Sequence, residues 1–286
     1  MYQLTFGGQT RITIPAGGDV VSDPVSLTTS VHQELTVSLY LAKGQIGKNT
    51  TAHDKAHTTT WVAAGDQTTH ASLSKGTPTT HWYYLAEIQG QLPSTSTALI
   101  CVGDSITDGT GSGNNDNNRW VDELFRRMQS NPETNNIAVL NAGIGSNHLI
   151  TTLGEGPTAV EGIKGIIVQP GVRYVALLDG VNDIGHTVAT DAGLNTLHSQ
   201  MTRAIEEIIS EVHPAGLVIF GGTLTPSFVD PPYSGSPSTS ANPNRAALRD
   251  RLNKWILSES KFDHVVDYAA AVANKTKPDQ YQDRYA

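Results

Sequence analysis

The chain has 286 residues, which at about 150 residues per domain predicts one large domain or two small ones. Only 16% of the residues are charged and the formal net charge is −8, which argues against DNA or RNA as the main partner because phosphate binding requires a basic face. The hydrophobic share of 38% argues against a disordered chain, and the single cysteine, Cys101, excludes an internal disulfide and a cysteine-rich zinc site.

Residues 1–95 alternate between apolar and polar side chains and are rich in threonine and glycine. This alternation predicts β-strands at residues 11–14, 34–42 and 81–92, with glycine-containing turns between them. We therefore predict a small all-β, sandwich-like domain over residues 1–95.

Residues 96–286 follow a different pattern, in which strands and helices alternate. Apolar runs predict five strands, at residues 98–102, 137–140, 172–178, 217–220 and 262–268. Apolar stripes at helical spacing predict three helices, at residues 119–129, 191–212 and 244–257. Together they indicate an α/β domain with a flavodoxin-like, doubly wound parallel sheet, whose binding sites lie beyond the carboxyl ends of the strands.

Three of these strands end in segments with polar or glycine-rich sequences. The first leads into residues 103–109, Gly-Asp-Ser-Ile-Thr-Asp-Gly, and the second into residues 141–147, Asn-Ala-Gly-Ile-Gly-Ser-Asn. The third leads into residues 179–183, Asp-Gly-Val-Asn-Asp. One edge of the sheet thus presents a hydroxyl, a turn with free backbone N–H groups and a side-chain amide, which are the parts of an acyl-transfer site.

These segments, in this order, resemble the SGNH (GDSL-type) hydrolase family of esterases and lipases, and the resemblance covers residues 97–286. It implies that Ser105 is the nucleophile and that its own N–H points into the oxyanion hole, where the Asn182 amide also donates. The family's glycine donor aligns with Ser146, and Gly145 takes that role if the register slips by one. If this turn requires a positive φ, the serine costs about 1 kcal/mol or more.

The family also places an Asp-x-x-His motif after the fifth strand, where the histidine is the general base. No such motif follows residues 262–268 in this sequence. The resemblance therefore implies a fragment or a shortened, catalytically impaired member, unless another histidine replaces the base. His148 and His186, which follow the second and third segments, are the candidates for a substitute base.

Simpler roles stay open for several of these residues. Ser105 is also suited to cap a turn, and Asp104 is interpreted as structural. Asp108 and Asp183 are interpreted as residues that brace loops. His53 and His57 are four residues apart, a spacing that would place two metal ligands on one face of a helix. No helix is predicted there, so His53 is interpreted as a surface or loop residue.

The function predicted is that of a serine ester hydrolase acting on a small-molecule or carbohydrate ester. No metal or organic cofactor is implied, because this chemistry needs only a polarised carbonyl and a proton shuttle. The carbohydrate preference and an extracellular location follow from a looser resemblance of residues 1–95 to the β-rich region of some extracellular members, carried by residues 4–8, 22–25 and 38–41. Two alternatives remain: a pseudoenzyme that binds carbohydrates or esters, and an interaction protein whose β-rich half carries the function.

Neither the compartment nor the oligomeric state can be predicted from these residues alone. No apolar run approaches the ~20 residues of a membrane helix, so we expect no membrane span. The N-terminal residues lack the basic and then apolar pattern of a signal peptide.

Overall fold

A computed structural model of the protein describes residues 1–42, 50–73, 75–153, 156–228, 242–278 and 280–282. The chain divides into two compact units. The first comprises residues 1–51 and 60–79, and the second comprises residues 52–59 and 80–286. The domain boundary at residues 95 and 96 stays a prediction.

The strands before residue 96 are short and form two antiparallel pairs. In chain order they are β1 (Ala52–His53), β2 (Thr60–Val62), β3 (Thr77–Thr79) and β4 (Trp82–Tyr83). Within the first unit β2 pairs with β3, and within the second unit β1 pairs with β4.

The longer strands predicted in this part of the chain are not formed. Residues 11–14 and 34–42 lie outside regular structure, and the strand predicted at residues 81–92 is reduced to β4. A strand is stabilised by hydrogen bonds to a neighbour and by packing of its apolar face. Neither is found here: no described segment pairs with residues 34–42, and leucines such as Leu39 and Leu41 are exposed.

The second unit contains the predicted parallel sheet. Its strands are β5 (Thr97–Gly103), β6 (Ile137–Gly143), β7 (Val172–Leu178), β8 (Val218–Gly222) and β9 (His264–Val266). They are ordered β6-β5-β7-β8-β9, which is the flavodoxin-like order, so the predicted fold class is confirmed. The last residue of β5, Gly103, lies opposite Gly143 on one side and Leu178 on the other, so three strand ends meet at one edge.

Seven α-helices accompany these strands in the described ranges. They are α1 (Ser105–Asp108), α2 (Trp120–Gln129), α3 (Ala159–Ile166), α4 (Val181–His186), α5 (Asp191–Val212), α6 (Pro243–Ser258) and α7 (Tyr268–Val272). A single 3-10 turn, His213–Ala215, follows α5. The predicted helices correspond to α2, α5 and α6. The other four have eight residues or fewer, and one or two turns do not establish a helical period in a sequence.

Apolar side chains pack on both faces of the sheet, which explains the unbroken apolar run of β5. Ile100 and Val102 join a large cluster with residues of α5, whereas Leu99 and Cys101 join a smaller cluster with residues of α2. Cys101 is fully buried, and burial raises the pKa of its thiol to about 12, so it is not a nucleophile at neutral pH. Within the described ranges, no helix combines the length and the apolar composition that crossing a membrane requires.

Candidate active site

Ser105 lies where β5 passes into α1. The side chain of Asp104 accepts a hydrogen bond from the Ile106 N–H at 2.8 Å, so Asp104 is the N-cap and Ser105 the first helical residue. The Ser105 side chain is half-buried, and no described residue hydrogen-bonds to its hydroxyl or accepts from its N–H. Both groups are therefore available to a substrate.

Two glycines allow α1 to lie directly on the strand ends. A Cβ at Gly103 would collide with the Leu178 carbonyl oxygen and with Thr107 Oγ1. A Cβ at Gly143, on the neighbouring strand, would collide with the backbone nitrogen of Asp108. Any side chain at either position would push the helix, and with it Ser105, away from the sheet.

The turn after β6 carries the second candidate donor. It runs from Ile144 to Asn147 and is closed by the Asn147 N–H, which donates to the Ile144 carbonyl oxygen at 3.1 Å. Ser146 has a φ of 59°, as the third residue of a type II turn does, whereas the φ of Gly145 is not positive. The turn thus does require a positive φ, and the residue that adopts it is a serine. Ser146 is exposed, and its N–H has no acceptor among the described residues.

Asn182, in the first turn of α4, connects the third strand end to this turn. Its side chain is buried, and Nδ2 donates to the Asn147 carbonyl oxygen at 2.8 Å. An amide nitrogen carries two hydrogens, so one remains for a substrate oxygen. The next residue, Asp183, accepts from the N–H groups of Leu149 at 2.8 Å and Ile150 at 3.2 Å. Both residues of the Asn-Asp pair therefore fasten the segment after β6 to α4, and Asp183 braces a loop, as the sequence suggested.

The carboxyl groups of Asp104, Asp179 and Asp183 are buried at these strand ends. Burial raises the pKa of Asp104 to about 7, and the nearby charge of Asp183 adds to the rise. Burial also raises the pKa of Asp183, although the N–H of Leu149 opposes the rise.

The third carboxyl, Asp179, was missed by the sequence analysis. Burial, followed by the charges of Asp104 and Asp183, raises its pKa well above the usual range. One of its oxygens accepts from the Gly180 N–H at 2.6 Å, and the other is buried with no partner among the described residues. The available signal was an aspartate placed directly after the apolar run of β7.

The two candidate substitute bases face each other. His148 is buried, and its Nε2 lies 3.0 Å from Nδ1 of His186. That Nδ1 also lies 2.9 Å from the Asn182 carbonyl oxygen. Because a carbonyl oxygen only accepts, His186 donates through Nδ1 and its Nε2 carries the lone pair. Burial lowers the pKa of His148, which keeps that ring neutral.

One further contact was not indicated by the sequence. Nε2 of His53, in β1, lies 2.7 Å from a carboxylate oxygen of Asp108, the last residue of α1. These residues are 55 positions apart and no local pattern relates them. In the described residues, no group of three or more histidine, cysteine, aspartate or glutamate side chains is arranged to hold a metal ion.

The fold and the site define a class of protein: a parallel α/β protein with a serine, a tight turn and a buried asparagine at one edge of its sheet. The sequence profile of the GDSL-like Lipase/Acylhydrolase family matches residues 101–285. This chain belongs to that family, which confirms the resemblance inferred from the three segments.

Three of the solved structures to which the chain is similar are named as esterases or putative esterases. AlinE4, an SGNH-hydrolase family esterase, is 18% identical, with 67% of this chain and 86% of that chain covered and a TM-score of 0.45. A putative arylesterase from Agrobacterium tumefaciens is 19% identical, with coverages of 65% and 88% and a TM-score of 0.45. A carbohydrate acetylesterase family member from Sinorhizobium meliloti is 17% identical, with coverages of 64% and 87% and a TM-score of 0.46. A search of the curated proteins finds no match.

Proposed function

We propose that this chain is a serine ester hydrolase in which Ser105 attacks the acyl carbonyl of the substrate. Membership of the family supports ester hydrolysis as the reaction class. The observation that carries the proposal is the hydrogen bond from Asn182 Nδ2 to the Asn147 carbonyl oxygen. It ties the amide donor to the turn that presents the Ser146 N–H, so two of the three proposed oxyanion donors are held by one contact.

The chemistry follows from these groups. Ser105 Oγ forms a bond to the carbonyl carbon while its proton passes to a base, and the carbonyl oxygen becomes an oxyanion. The N–H groups of Ser105 and Ser146 and the second Nδ2 hydrogen of Asn182 stabilise this charge. Collapse of the tetrahedral intermediate expels the alcohol with the proton, and water then hydrolyses the acyl-serine by the same route.

Of the two histidines considered as a substitute base, we propose His186. His186 is exposed. The hydrogen bond from its Nδ1 to the Asn182 carbonyl oxygen fixes the tautomer that has a lone pair on Nε2. His148 is buried, and its Nε2 is directed at His186. His186→Gln is therefore expected to lower turnover more than His148→Gln, as measured by kcat for the same ester.

For the substrate we propose a carbohydrate ester. The support is the resemblance of residues 1–95 to the β-rich region of some extracellular family members, which is an analogy of domain organisation rather than of a pocket. Acetate release from acetylated oligosaccharides, compared with release from p-nitrophenyl acetate, tests this preference. Equal kcat/KM for both substrates would contradict it.

The hydrolase proposal is tested by p-nitrophenyl acetate hydrolysis with the wild-type chain, Ser105→Ala and Ser112→Ala. Ser112 lies in the loop after α1 and has no assigned role, so its variant is the matched control. We expect Ser112→Ala to retain the wild-type rate and Ser105→Ala to fall to background, since loss of a serine nucleophile costs on the order of 10⁶ in kcat. Equal rates for the wild type and Ser105→Ala, with both folded, reject turnover at Ser105.

A second candidate function is binding of an ester without turnover. The observation that favours it is the pairing of His148 with His186, which directs one candidate base at the other. Calorimetric binding of an acetylated oligosaccharide, without release of acetate, supports this candidate. Release of acetate in the same mixture rejects it.

A further inference from the structure

Helix α1 is too short to be stable by itself. It has four residues, and an isolated helix of this length does not form in water. Its carbonyl groups therefore need partners from outside the helix. The Ser105 carbonyl oxygen accepts from the N–H groups of Gly109 at 2.9 Å and Thr110 at 2.8 Å. The backbone of the proposed nucleophile is thus fixed by the turn that ends α1.

The second half of α1 is fixed by side chains from other elements. Asn141 Nδ2, on β6, donates to the Thr107 carbonyl oxygen at 2.8 Å. Arg119 Nε donates to the Asp108 carbonyl oxygen at 2.8 Å, and another nitrogen of the same guanidinium donates to the Ala56 carbonyl oxygen at 2.5 Å. Arg119 therefore joins the end of α1 to residues 52–59.

Residues 52–59 are part of the same compact unit as the sheet, although they precede it by about 40 positions. Ala56 is buried, and its N–H donates to the Thr80 carbonyl oxygen at 2.8 Å. The N–H and the carbonyl oxygen of Ala56 are thereby both held, which fixes the segment that carries His53 relative to α1.

The Asp108 carboxylate is buried, with a side-chain exposure of 5%, and a buried carboxylate is costly unless it is paired. Its partner is His53, whose Nε2 lies 2.7 Å away and whose ring is 38% exposed. The hydrogen bond to Asp108 is the largest cause that raises the pKa of His53, and partial burial opposes it. Two other charges act on the ring: Arg119 lowers its pKa and Asp54 raises it.

We propose that His53 is a positioning residue for the nucleophile: through its ion pair with Asp108 it holds α1, and hence Ser105, in the orientation needed for attack. This proposal rests on the proposed function, because it assigns to Ser105 the nucleophilic role. It makes a segment from the β-rich part of the sequence necessary for the reactivity of the α/β domain. His53 itself touches no substrate and transfers no proton.

The test measures how fast Ser105 reacts with a fluorophosphonate probe, followed by intact mass on the full chain. In this reaction Oγ bonds to phosphorus, fluoride leaves and the serine proton passes to base. The variants are His53→Ala, His53→Gln and the control His70→Gln, an exposed histidine of the first unit. Glutamine keeps a nitrogen donor near the position of Nε2 but carries no charge.

We expect His53→Ala to lower the labelling rate tenfold or more, since small displacements of a nucleophile cost about 10²-fold. His53→Gln is expected to restore most of the rate at high pH, and His70→Gln to equal the wild type. The ratio of the wild-type rate to the His53→Gln rate should fall as pH rises from 6 to 9. The pKa of His53 is raised, so the ring is charged at pH 6 and loses this charge as the pH rises above the ordinary histidine value, and the ratio of the two rates cancels every pH effect that the wild type and His53→Gln share.

Two results overturn the proposal: a wild-type labelling rate in folded His53→Ala, or a His53→Gln rate as low as that of His53→Ala at every pH. If the wild-type chain does not label at all, the proposed function fails instead. Amide hydrogen exchange at Gly109 and Thr110, which donate to the Ser105 carbonyl oxygen, then decides the inference. Faster exchange in His53→Ala, reversed in His53→Gln, supports it, and unchanged exchange rejects it.

Discussion

The sheet and the N-terminal residues differ in what their apolar side chains contact. In β5 every residue from Ala98 to Gly103 is buried, and the strand has a hydrogen-bonded neighbour on each side. Residues 34–42 alternate as regularly as a strand does, yet their leucines are exposed and no described segment pairs with them. Among the described residues of the first unit, none is buried. Alternation thus marks a strand only where a neighbour and a packing surface are supplied.

The largest effect expected from this difference is on stability. Leu252 is fully buried in the large cluster, whereas Leu39 is 53% exposed. We expect Leu252→Ala to lower the free energy of unfolding by about 2–5 kcal/mol, because it leaves a cavity in a packed core. Leu39→Ala should change it by less than about 0.5 kcal/mol. Urea denaturation followed by tryptophan fluorescence measures both, and equal losses would show that the N-terminal residues have a core after all.

The same contrast explains which parts of the fold and of the site could be predicted from the sequence. The boundaries of β7 and α5 agree with the prediction to the residue. Each is marked by a continuous local pattern, an apolar run in β7 and an apolar stripe at helical spacing in α5. The edge bearing Ser105, Ser146 and Asn182 was predicted because parallel strands end on one side. Contacts between residues far apart in the chain were not predicted, because no local sequence pattern indicates them.

Two cases show this limit. Asp108 was interpreted as a loop brace, but its partner His53 was unknown since the two lie 55 positions apart. Asp179 was passed over because one aspartate after a strand gives no indication of the depth at which it will be buried. Burial and long-range contacts depend on how the elements pack, which the sequence states only indirectly.

The next effect concerns the pKa values of carboxyl groups and compares Asp104, in the second unit, with Asp23, in the first unit. Burial raises the pKa of Asp104 to about 7. Its native form therefore binds a proton more tightly than the unfolded chain, so the stability of the sheet should fall as pH rises from about 4 to 7. Asp104→Asn keeps the cap and should reduce this fall by at least about 1 kcal/mol, since one pKa unit corresponds to 1.36 kcal/mol. Urea denaturation at pH 5 and pH 8 checks it, and an unchanged slope would contradict it.

The pKa of Asp23 is shifted in the opposite direction, so the opposite dependence on pH is expected. Its carboxylate accepts hydrogen bonds from the Thr5 hydroxyl and from the N–H groups of Gly8 and Gly7, which lower its pKa. The turn it holds should therefore be ordered above the ordinary aspartate pKa and loosen as pH falls through the lowered value. Amide chemical shifts of Gly7 and Gly8, followed from pH 7 to pH 2, report this, and shifts that move at or above the ordinary value would be inconsistent with it.

The smallest effect comes from backbone strain, at Ser146 in the sheet unit and Lys75 in the first unit. Both have a positive φ, 59° and 55°. Glycine adopts this conformation without the Cβ penalty, so Ser146→Gly should raise the free energy of unfolding of the sheet by about 1 kcal/mol. Lys75→Gly relieves the same strain but should leave the unfolding of the sheet unchanged, because its turn belongs to a unit in which no described residue is buried. Both are measured by urea denaturation. If Lys75→Gly raised the free energy of unfolding as much as Ser146→Gly does, the two units would unfold as one cooperative transition. The units would then differ in the burial of their side chains but not in how they unfold.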